Sequence, residues 1–120
     1  MEKKDALSAL AALAQETRLD IFRLLVEAGP DGRAAGQIGA SLDLAPATLS
    51  FHLKELKGAG LVECRRDGRS LIYAADFARM NGLIGFLGDN CCQGEPALCL
   101  PALQPRGRLR TARQRLRGTA

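Results

Sequence analysis

Residues 45–74, APATLSFHLKELKGAGLVECRRDGRSLIYA, carry the pattern that decides the fold. Pro46 suits the first turn of a helix, and Gly58-Ala59-Gly60 is a suitable end for one. Between them, leucines recur at the spacing of a buried helical face: Leu49, Leu53 and Leu56. Two runs of strand-forming residues then flank Asp67-Gly68, a dipeptide typical of tight hairpin turns. The stretch therefore predicts a helix followed by a β-hairpin.

Four other segments have apolar residues at helical spacing, and they lie at residues 5–15, 16–29, 35–44 and 76–92. The expected apolar stripes are Leu7, Leu10, Ala11 and Ala14 in the first, Leu19, Phe22, Leu25 and Val26 in the second, Ile38 and Leu42 in the third, and Phe77, Met80, Ile84 and Leu87 in the last. Residues 29–35, GPDGRAA, are expected to form a loop.

The order of these elements indicates an α+β fold that is mainly α. Two short helices joined by a tight turn, at 35–44 and 46–58, precede a hairpin with basic residues beside its tip. That arrangement is typical of a winged helix-turn-helix, in which the second helix enters the major groove of DNA. We therefore predict a winged helix-turn-helix with flanking helices and a DNA-binding function.

The second helix of this unit carries the candidate DNA-reading side chains. The side opposite its leucine stripe consists of Ala47, Ser50, Phe51 and Lys54, with Thr48 and His52 on the flank. Ser50 can hydrogen-bond with bases or phosphates, Phe51, like Ala47, offers apolar contact to thymine methyl groups, and Lys54 supplies positive charge. Further candidates are Gln37 on the preceding helix and Arg66 and Arg69 beside the hairpin turn. The alternative for each residue is an ordinary solvent-exposed position.

His52 is the only histidine of the chain. It could ligate a metal, contact a phosphate or make a structural hydrogen bond. No second His, Asp or Cys lies at ligand spacing on its helix, which favours the structural and phosphate-contacting roles over metal binding.

The net charge of +4 is unevenly distributed along the 120 residues. Residues 105–120 contain six arginines and no acidic residue, so they contribute +6 and leave residues 1–104 with a net charge of −2. DNA binding by the body of the protein must therefore come from a local basic surface. We expect a DNA-binding and dimerisation domain at 1–92, a cysteine-containing sensor segment at 93–104, and a disordered tail at 105–120 that can add phosphate contacts. No apolar run reaches the roughly 18 residues of a membrane span, so we expect a cytosolic protein without membrane contact.

Residues 47–74 and the upstream stretch LAALAQETRLDIFRLL, residues 10–25, resemble the ArsR/SmtB family of bacterial metal-responsive repressors. The resemblance covers about residues 5–92 and includes the recognition helix, the GLV that follows it, the basic wing and the closing Tyr73. It implies a homodimer that binds an imperfect inverted repeat of double-stranded operator DNA, and an inducer that weakens this binding. It also implies dimerisation through the first and last helices, for which the candidate residues are Leu7, Leu10, Phe77, Met80, Ile84 and Leu87.

Three of the four cysteines, Cys91, Cys92 and Cys99, lie close together at the end of the last predicted helix and just after it. The family's best-known arsenite sensors carry a Cys-x-Cys pair at the first helix of the helix-turn-helix, where this chain has AAGQIGASL without a cysteine. Its zinc sensors use Asp and His along the last helix, where this chain has Asp76 but no His. The three cysteines are instead similar to an arsenite-sensor variant with a vicinal pair and a third cysteine downstream.

The chemistry of three thiolates supports the same interpretation. Three sulfurs without a nearby histidine make a soft site, and As(III) and Sb(III) bind three sulfurs in a pyramid, whereas Zn(II) normally takes a fourth ligand. Seven residue steps span roughly 24 Å when extended, so Cys99 can reach back to Cys92. We expect no permanently bound cofactor, and As(III), with Sb(III) second, as the inducer. A redox switch through a Cys92–Cys99 disulfide, a sensor of Cd(II) or Zn(II), and three unrelated cysteines remain alternatives.

Cysteine chemistry also raises the question of an enzyme such as an arsenate reductase. The Cys-x5-Arg loop of phosphatase-like reductases is missing, and so is a Cys-x-x-Cys pair. Cys64, in the first strand of the hairpin, is interpreted as a core residue. We therefore predict a protein that is not an enzyme.

Overall fold

A computed structural model describes residues 1–89. Its elements are α1 (Lys3–Leu13), α2 (Glu16–Ala28), a 3-10 turn (Gly29–Asp31), β1 (Arg33–Ala34), α3 (Ala35–Leu42), α4 (Pro46–Gly58), β2 (Val62–Asp67), β3 (Ser70–Ala75) and α5 (Phe77–Leu87). The order of the elements confirms the predicted winged helix-turn-helix and its mainly helical α+β class. The chain divides into a compact unit, Met1–Leu83, and a second unit that starts at Ile84, of which residues 84–89 are described. The predicted boundaries after residues 92 and 104 lie outside the described residues.

Helix α1 buries a different face from the one predicted, whereas the predicted face of α2 is confirmed except at Leu19. In α1 the buried residues are Ala6, Ala9 and Ala12, while the predicted leucine face is directed outward and Leu7 is 60% exposed. In α2 the buried residues are Ile21, Phe22 and Leu25, and Leu19, which was predicted to be buried, is 42% exposed. Leu19 lies about a third of a turn away from the centre of that buried face, because successive residues are about 100° apart around a helix.

A tight turn joins α3 to α4 and sets the start of the DNA-reading helix. Asp43 adopts a left-handed backbone conformation with φ of 54°, and the N–H of Leu44 donates to the carbonyl of Gly39 at 2.9 Å. A Cβ atom at Gly39 would lie 3.2 Å from the Leu44 carbonyl oxygen, so the small residue allows the turn to close against the helix. Pro46 then occupies the first turn of α4, as predicted.

The predicted core face of α4 is confirmed, since Leu49, Leu53 and Leu56 are all buried. The helix ends in a Schellman motif, in which Gly60 has a φ of 78°. The N–H of Gly60 donates to the carbonyl of Lys57 and the N–H of Leu61 to that of Leu56, both at 3.0 Å. The chain therefore enters β2 directly after the recognition helix.

The sheet has three antiparallel strands in the order β1-β3-β2. The hairpin closes at the pair Asp67 and Ser70, so its turn is centred on Gly68-Arg69, one residue later than predicted. Gly68 has a φ of 64° and Arg69 does not have a positive φ, a combination that fits a type II′ turn. The strand β1 falls in the segment predicted to be a loop, and it pairs Arg33 with Tyr73.

The last described helix, α5, is capped by Asp76, whose Oδ1 accepts from the N–H of Arg79 at 3.0 Å. Phe77 and Met80 pack against the core, and Leu83, which the predicted stripe omitted, is buried. Within the second unit, the predicted residues Ile84 and Leu87 are exposed. Among the described helices, none is both long enough and apolar enough to cross a membrane.

Candidate nucleic-acid interface

The N-terminus of α4 offers backbone donors to an anion. Pro46 has no amide hydrogen, and no side chain within residues 1–89 caps this end through Ala45, so the N–H groups of Ala47 and Thr48 are left without a helical partner. The N-terminus of a helix also carries a partial positive charge, which favours phosphate groups. This end of α4 can therefore bind a phosphate of the DNA backbone.

The structure brings five predicted side chains together on the outer face of α4. They are exposed residues of the first two and a half turns: Ala47, Thr48, Ser50, Phe51 and Lys54. Phe51 is 57% exposed although it is the largest apolar side chain of this face. The face therefore presents two hydroxyl groups, an apolar ring and a positive charge, which are the groups that read base edges and bind phosphates.

His52 lies on the flank of this face, as predicted, but the structure buries it, so it is not exposed to DNA. Its side chain is buried, at 8% exposure, and its Nδ1 lies 3.4 Å from a terminal nitrogen of Arg18. The ring of Phe51 meets the His52 ring edge to face, with centroids 5.3 Å apart. Of the two roles favoured for His52, this geometry fits the structural hydrogen bond and not the phosphate contact.

Gln37 is exposed, but part of its side chain already has a structural role. Its Oε1 accepts from the N–H of Ala34 at 2.8 Å and thereby caps the start of α3. The amide nitrogen of Gln37 keeps its ability to donate to a phosphate.

The wing carries three exposed arginines, of which Arg66 and Arg69 were predicted. The third, Arg65, points to the opposite face of the hairpin from Arg66, because successive residues of a strand alternate in direction. A terminal nitrogen of Arg65 donates to the carbonyl of Asp31 at 3.0 Å, which ties the wing to the turn after α2. The alternation of side chains along a strand is the signal in the sequence that separates the role of Arg65 from that of Arg66.

A cavity of about 380 Å³ lies between α3, α4 and β3. Its lining consists of Ala35, Gly36, Gly39, Ala40, Leu44, Pro46, Leu49, Ser50, Leu53, Leu71 and Tyr73. This lining contains no charged side chain, and its hydroxyl groups belong to Ser50 and Tyr73. The cavity is therefore mainly apolar.

A profile for a helix-turn-helix domain matches residues 13–65. The transcriptional activator HlyU of Vibrio cholerae is 30% identical over 95 residues, which are 78% of this chain and 85% of HlyU. A solved structure of reduced HlyU is 29% identical, covers 75% of this chain and 92% of that one, and superposes with a TM-score of 0.59.

Two further solved structures carry the family description. The homodimeric winged helix-turn-helix domain of Mb0332 from Mycobacterium bovis, a possible ArsR-family transcriptional regulator, is 30% identical over 77% of this chain and 85% of that one, with a TM-score of 0.58. An ArsR-like regulator from Rhodococcus sp. RHA1 is 25% identical over 97% of this chain and 96% of that one, with a TM-score of 0.66. The chain belongs to the ArsR/SmtB-type family. It is therefore a DNA-binding transcription regulator and not an enzyme.

In this ArsR/SmtB-type regulator, the inducer-site candidates Cys91, Cys92 and Cys99 lie outside the described residues. Within residues 1–89, no three His, Cys, Asp or Glu side chains cluster as a metal site. Asp76, the one zinc-site residue of the family pattern that the chain contains, caps α5.

The predicted dimerisation residues of this ArsR/SmtB-type regulator fall into two groups. Leu7 and Leu10 are exposed on α1, and Ile84 and Leu87 are exposed in the second unit. Phe77 and Met80 pack partly against the core of their own chain. The exposed leucines of α1 are therefore not part of the core of the first unit.

Proposed function

We propose that the protein is a homodimeric transcriptional repressor that releases operator DNA when As(III) or Sb(III) binds Cys91, Cys92 and Cys99. The observation that carries the DNA-binding part is the outer face of α4, where Ser50, Phe51 and Lys54 are exposed beside the uncapped helix N-terminus. Arg66 and Arg69 supply the matching positive charge on the wing.

In this proposal α4 enters the major groove and the wing contacts the adjacent backbone. Ser50 and Phe51 contact base edges, while Lys54 and the wing arginines contact phosphates. A homodimer presents two such units related by a two-fold axis, which requires an inverted repeat in the operator. The homodimer of Mb0332 and the exposed leucines of α1 support this assembly.

The DNA-binding part is tested with a duplex selected from a random library by the protein itself. Lys54→Gln should reduce the slope of log K against log salt by about 1.8, because each of the two protomers on the operator loses one phosphate contact worth about 0.9. Phe51→Ala should weaken binding by about tenfold and leave the slope unchanged, because its contact is apolar. Lys4→Gln, at an exposed position of α1, is the control and should change neither quantity. An unchanged slope for Lys54→Gln would contradict a phosphate contact by α4.

The inducer part is supported by the chemistry of the cysteines. Arsenous acid exchanges its three hydroxyl groups for three thiolate sulfurs, and each hydroxyl leaves with a thiol proton as water. The product is a neutral three-sulfur complex that needs no fourth ligand. A coupling of about 1–3 kcal/mol between this binding and the DNA interface corresponds to a 5- to 150-fold loss of DNA affinity.

The inducer part is tested by adding sodium arsenite, zinc chloride, cadmium chloride or hydrogen peroxide to the complex with the selected duplex. We expect release by arsenite, and loss of that release in Cys91→Ser, Cys92→Ser and Cys99→Ser, with Cys64→Ser as the control. Release by arsenite in all three variants would disprove the site. A promoter assay with the same duplex distinguishes the proposed repressor from an activator, which is how HlyU is described.

The alternative is a thiol redox sensor, and the similarity to HlyU, whose structure was solved in a reduced form, favours it as the second candidate. Two thiols, at Cys92 and Cys99, would be oxidised to a disulfide while hydrogen peroxide is reduced to two molecules of water. Release by peroxide without release by arsenite would favour this function, and release by cadmium or zinc alone would favour a metal sensor.

A further inference from the structure

Arg18 connects the end of α1 with the recognition helix. Its Nε donates to the carbonyl of Ala12 at 2.6 Å, in the last turn of α1, and its backbone N–H donates to Oε1 of Gln15 at 2.8 Å. One terminal nitrogen of the same guanidinium lies 3.4 Å from Nδ1 of His52 on α4. A single planar group therefore bonds both helices, and its fork holds the two contacts at a fixed angle.

The contact with Arg18 favours one tautomer of His52. A guanidinium has donors and no acceptor, so a hydrogen bond across the 3.4 Å contact requires the lone pair on Nδ1 of His52 and the proton on Nε2. His52 is the buried polar residue of the described core, and a buried polar group without a partner is costly. The position of its ring is therefore tied to the position of Arg18.

The ring of His52 in turn supports Phe51. The two rings meet edge to face, with centroids 5.3 Å apart and planes 65° apart. This is a favourable arrangement for aromatic rings. Phe51 is 57% exposed, so the contact with the neighbouring ring restricts an apolar side chain that is largely open to solvent.

We infer that Arg18 and His52 are positioning residues that set Phe51 at the DNA interface relative to α1. The chain of contacts runs from the Ala12 carbonyl through Arg18 and His52 to Phe51. A shift of the last turn of α1 then moves a residue that contacts bases. The inference deepens the proposed function, because it assumes that Phe51 faces DNA.

The state of His52 is measured first, by an NMR spectrum that correlates the two ring nitrogens with the ring protons. The chain has one histidine, so the spectrum contains one imidazole. We expect the tautomer with the proton on Nε2 and the lone pair on Nδ1, and a shift of the Nδ1 resonance in Arg18→Gln. A proton on Nδ1 would overturn the inference without involving DNA.

The effect on DNA binding is measured by a double-mutant cycle of Arg18→Gln and Phe51→Ala with the selected duplex. If Arg18 acts through Phe51, Arg18→Gln weakens binding by about 2- to 10-fold alone and adds nothing in the Phe51→Ala background. Additive losses would show a merely structural role for Arg18 and overturn the inference. A Phe51→Ala variant that binds the duplex as tightly as the wild type would also overturn the inference.

Two further variants keep this test decisive. Arg23→Gln makes the same change on an exposed residue of α2 and should leave binding unchanged. His52→Asn keeps an acceptor at the position of Nδ1 and should retain the folding stability that His52→Leu loses. If Arg18→Gln fails to fold, His52→Asn takes its place in the cycle with Phe51→Ala, where non-additive losses of DNA binding support the inference and additive losses overturn it. If the wild type binds no duplex, the proposed function fails, while the tautomer remains measurable.

Discussion

Tyr73 is the only tyrosine of the chain, and the pKa of its hydroxyl group depends on its surroundings in the wing. It lies opposite Cys64 in the pairing of β2 with β3. Burial, and then the hydrogen bond and charge of Cys64, raise the pKa of the Tyr73 hydroxyl above its ordinary value of 10.0. We expect an absorbance titration near 295 nm to have a midpoint above 10 in the folded protein and near 10 in urea. The chain has no tryptophan, so the signal belongs to Tyr73 alone.

The raised pKa of Tyr73 determines how this residue changes the folding stability as the pH rises. The unfolded state loses the tyrosine proton at a lower pH than the folded state, so the contribution of Tyr73 is complete below about pH 10 and is lost as the pH rises through the folded pKa. Tyr73→Phe should remove this part of the alkaline loss of stability. Cys64→Ala should lower the midpoint only in part, because burial is the first cause of the shift. Equal midpoints in water and in urea would contradict the assignment.

Single residues of α4 also show which features could be predicted from the sequence and which could not. The spacing of the leucines placed Ser50, Phe51 and Lys54 on the outer face of α4, because a helix repeats its faces every 3.6 residues. The same spacing placed His52 at a flank, where its buried ring contacts Arg18 from 34 residues earlier in the chain. A contact over that distance in sequence leaves no periodic signal.

At the scale of elements, two glycines of α3 should respond in opposite ways to the same substitution. A Cβ atom at Gly36 would have no neighbouring atom within 4 Å, so Gly36→Ala should raise the free energy of unfolding by about 0.5 kcal/mol through helix propensity. A Cβ atom at Gly39 would press on the Leu44 carbonyl at 3.2 Å, and that carbonyl belongs to the turn before α4. Gly39→Ala should therefore leave the free energy of unfolding unchanged or lower it.

The glycine pair is measured by urea unfolding at one fixed protomer concentration, because the stability of a dimer depends on concentration. A difference between the two variants is the expected result. Equal stabilisation by both would mean that the turn between α3 and α4 adapts to an additional methyl group, and that Gly39 is not needed for its closure.

The elements themselves were predictable to different degrees. The helices α3 and α4 follow from leucine spacing, Pro46 and the glycines at the end of α4. The strand β1 contains two residues, too few for an alternating pattern, and it exists because it pairs with β3. The turn of the wing was displaced by one residue because both Asp67-Gly68 and Gly68-Arg69 can form a tight turn, and the strand register selects between them.

At the scale of the whole molecule, a substitution on the leucine face of α1 tests dimerisation without changing the core of the protomer. Alanines of α1 supply its buried face, so Leu7 is exposed while the helix is packed. Leu7→Glu should therefore leave the protomer folded and raise the dimer dissociation constant by about tenfold or more, since a charge would be buried at an apolar interface. Leu19→Glu, at an exposed leucine of α2, is the matched control. Analytical ultracentrifugation measures both, and equal effects would disprove dimerisation through α1.

The distribution of charge predicts that residues 105–120 strengthen DNA binding. Residues 1–104 have a net charge of −2, whereas the six arginines of residues 105–120 add +6, so a chain that ends at Gln104 should approach DNA more slowly at low salt. Each arginine that contacts a phosphate contributes roughly 0.9 to the slope of log K against log salt, and the shortened chain should lose that amount. Binding and association rates on the selected duplex and on a scrambled duplex measure both effects.

The preference for the selected duplex over the scrambled one should survive this truncation. Phosphate contacts contribute equally on every sequence, whereas the base contacts proposed for Ser50 and Phe51 differ between sequences. A chain ending at Gln104 that loses affinity equally on both duplexes therefore supports a division between a tail that adds affinity and an α4 that adds specificity. Loss of the preference itself would place base recognition in residues 105–120, and would contradict the recognition by α4 on which the proposed function depends.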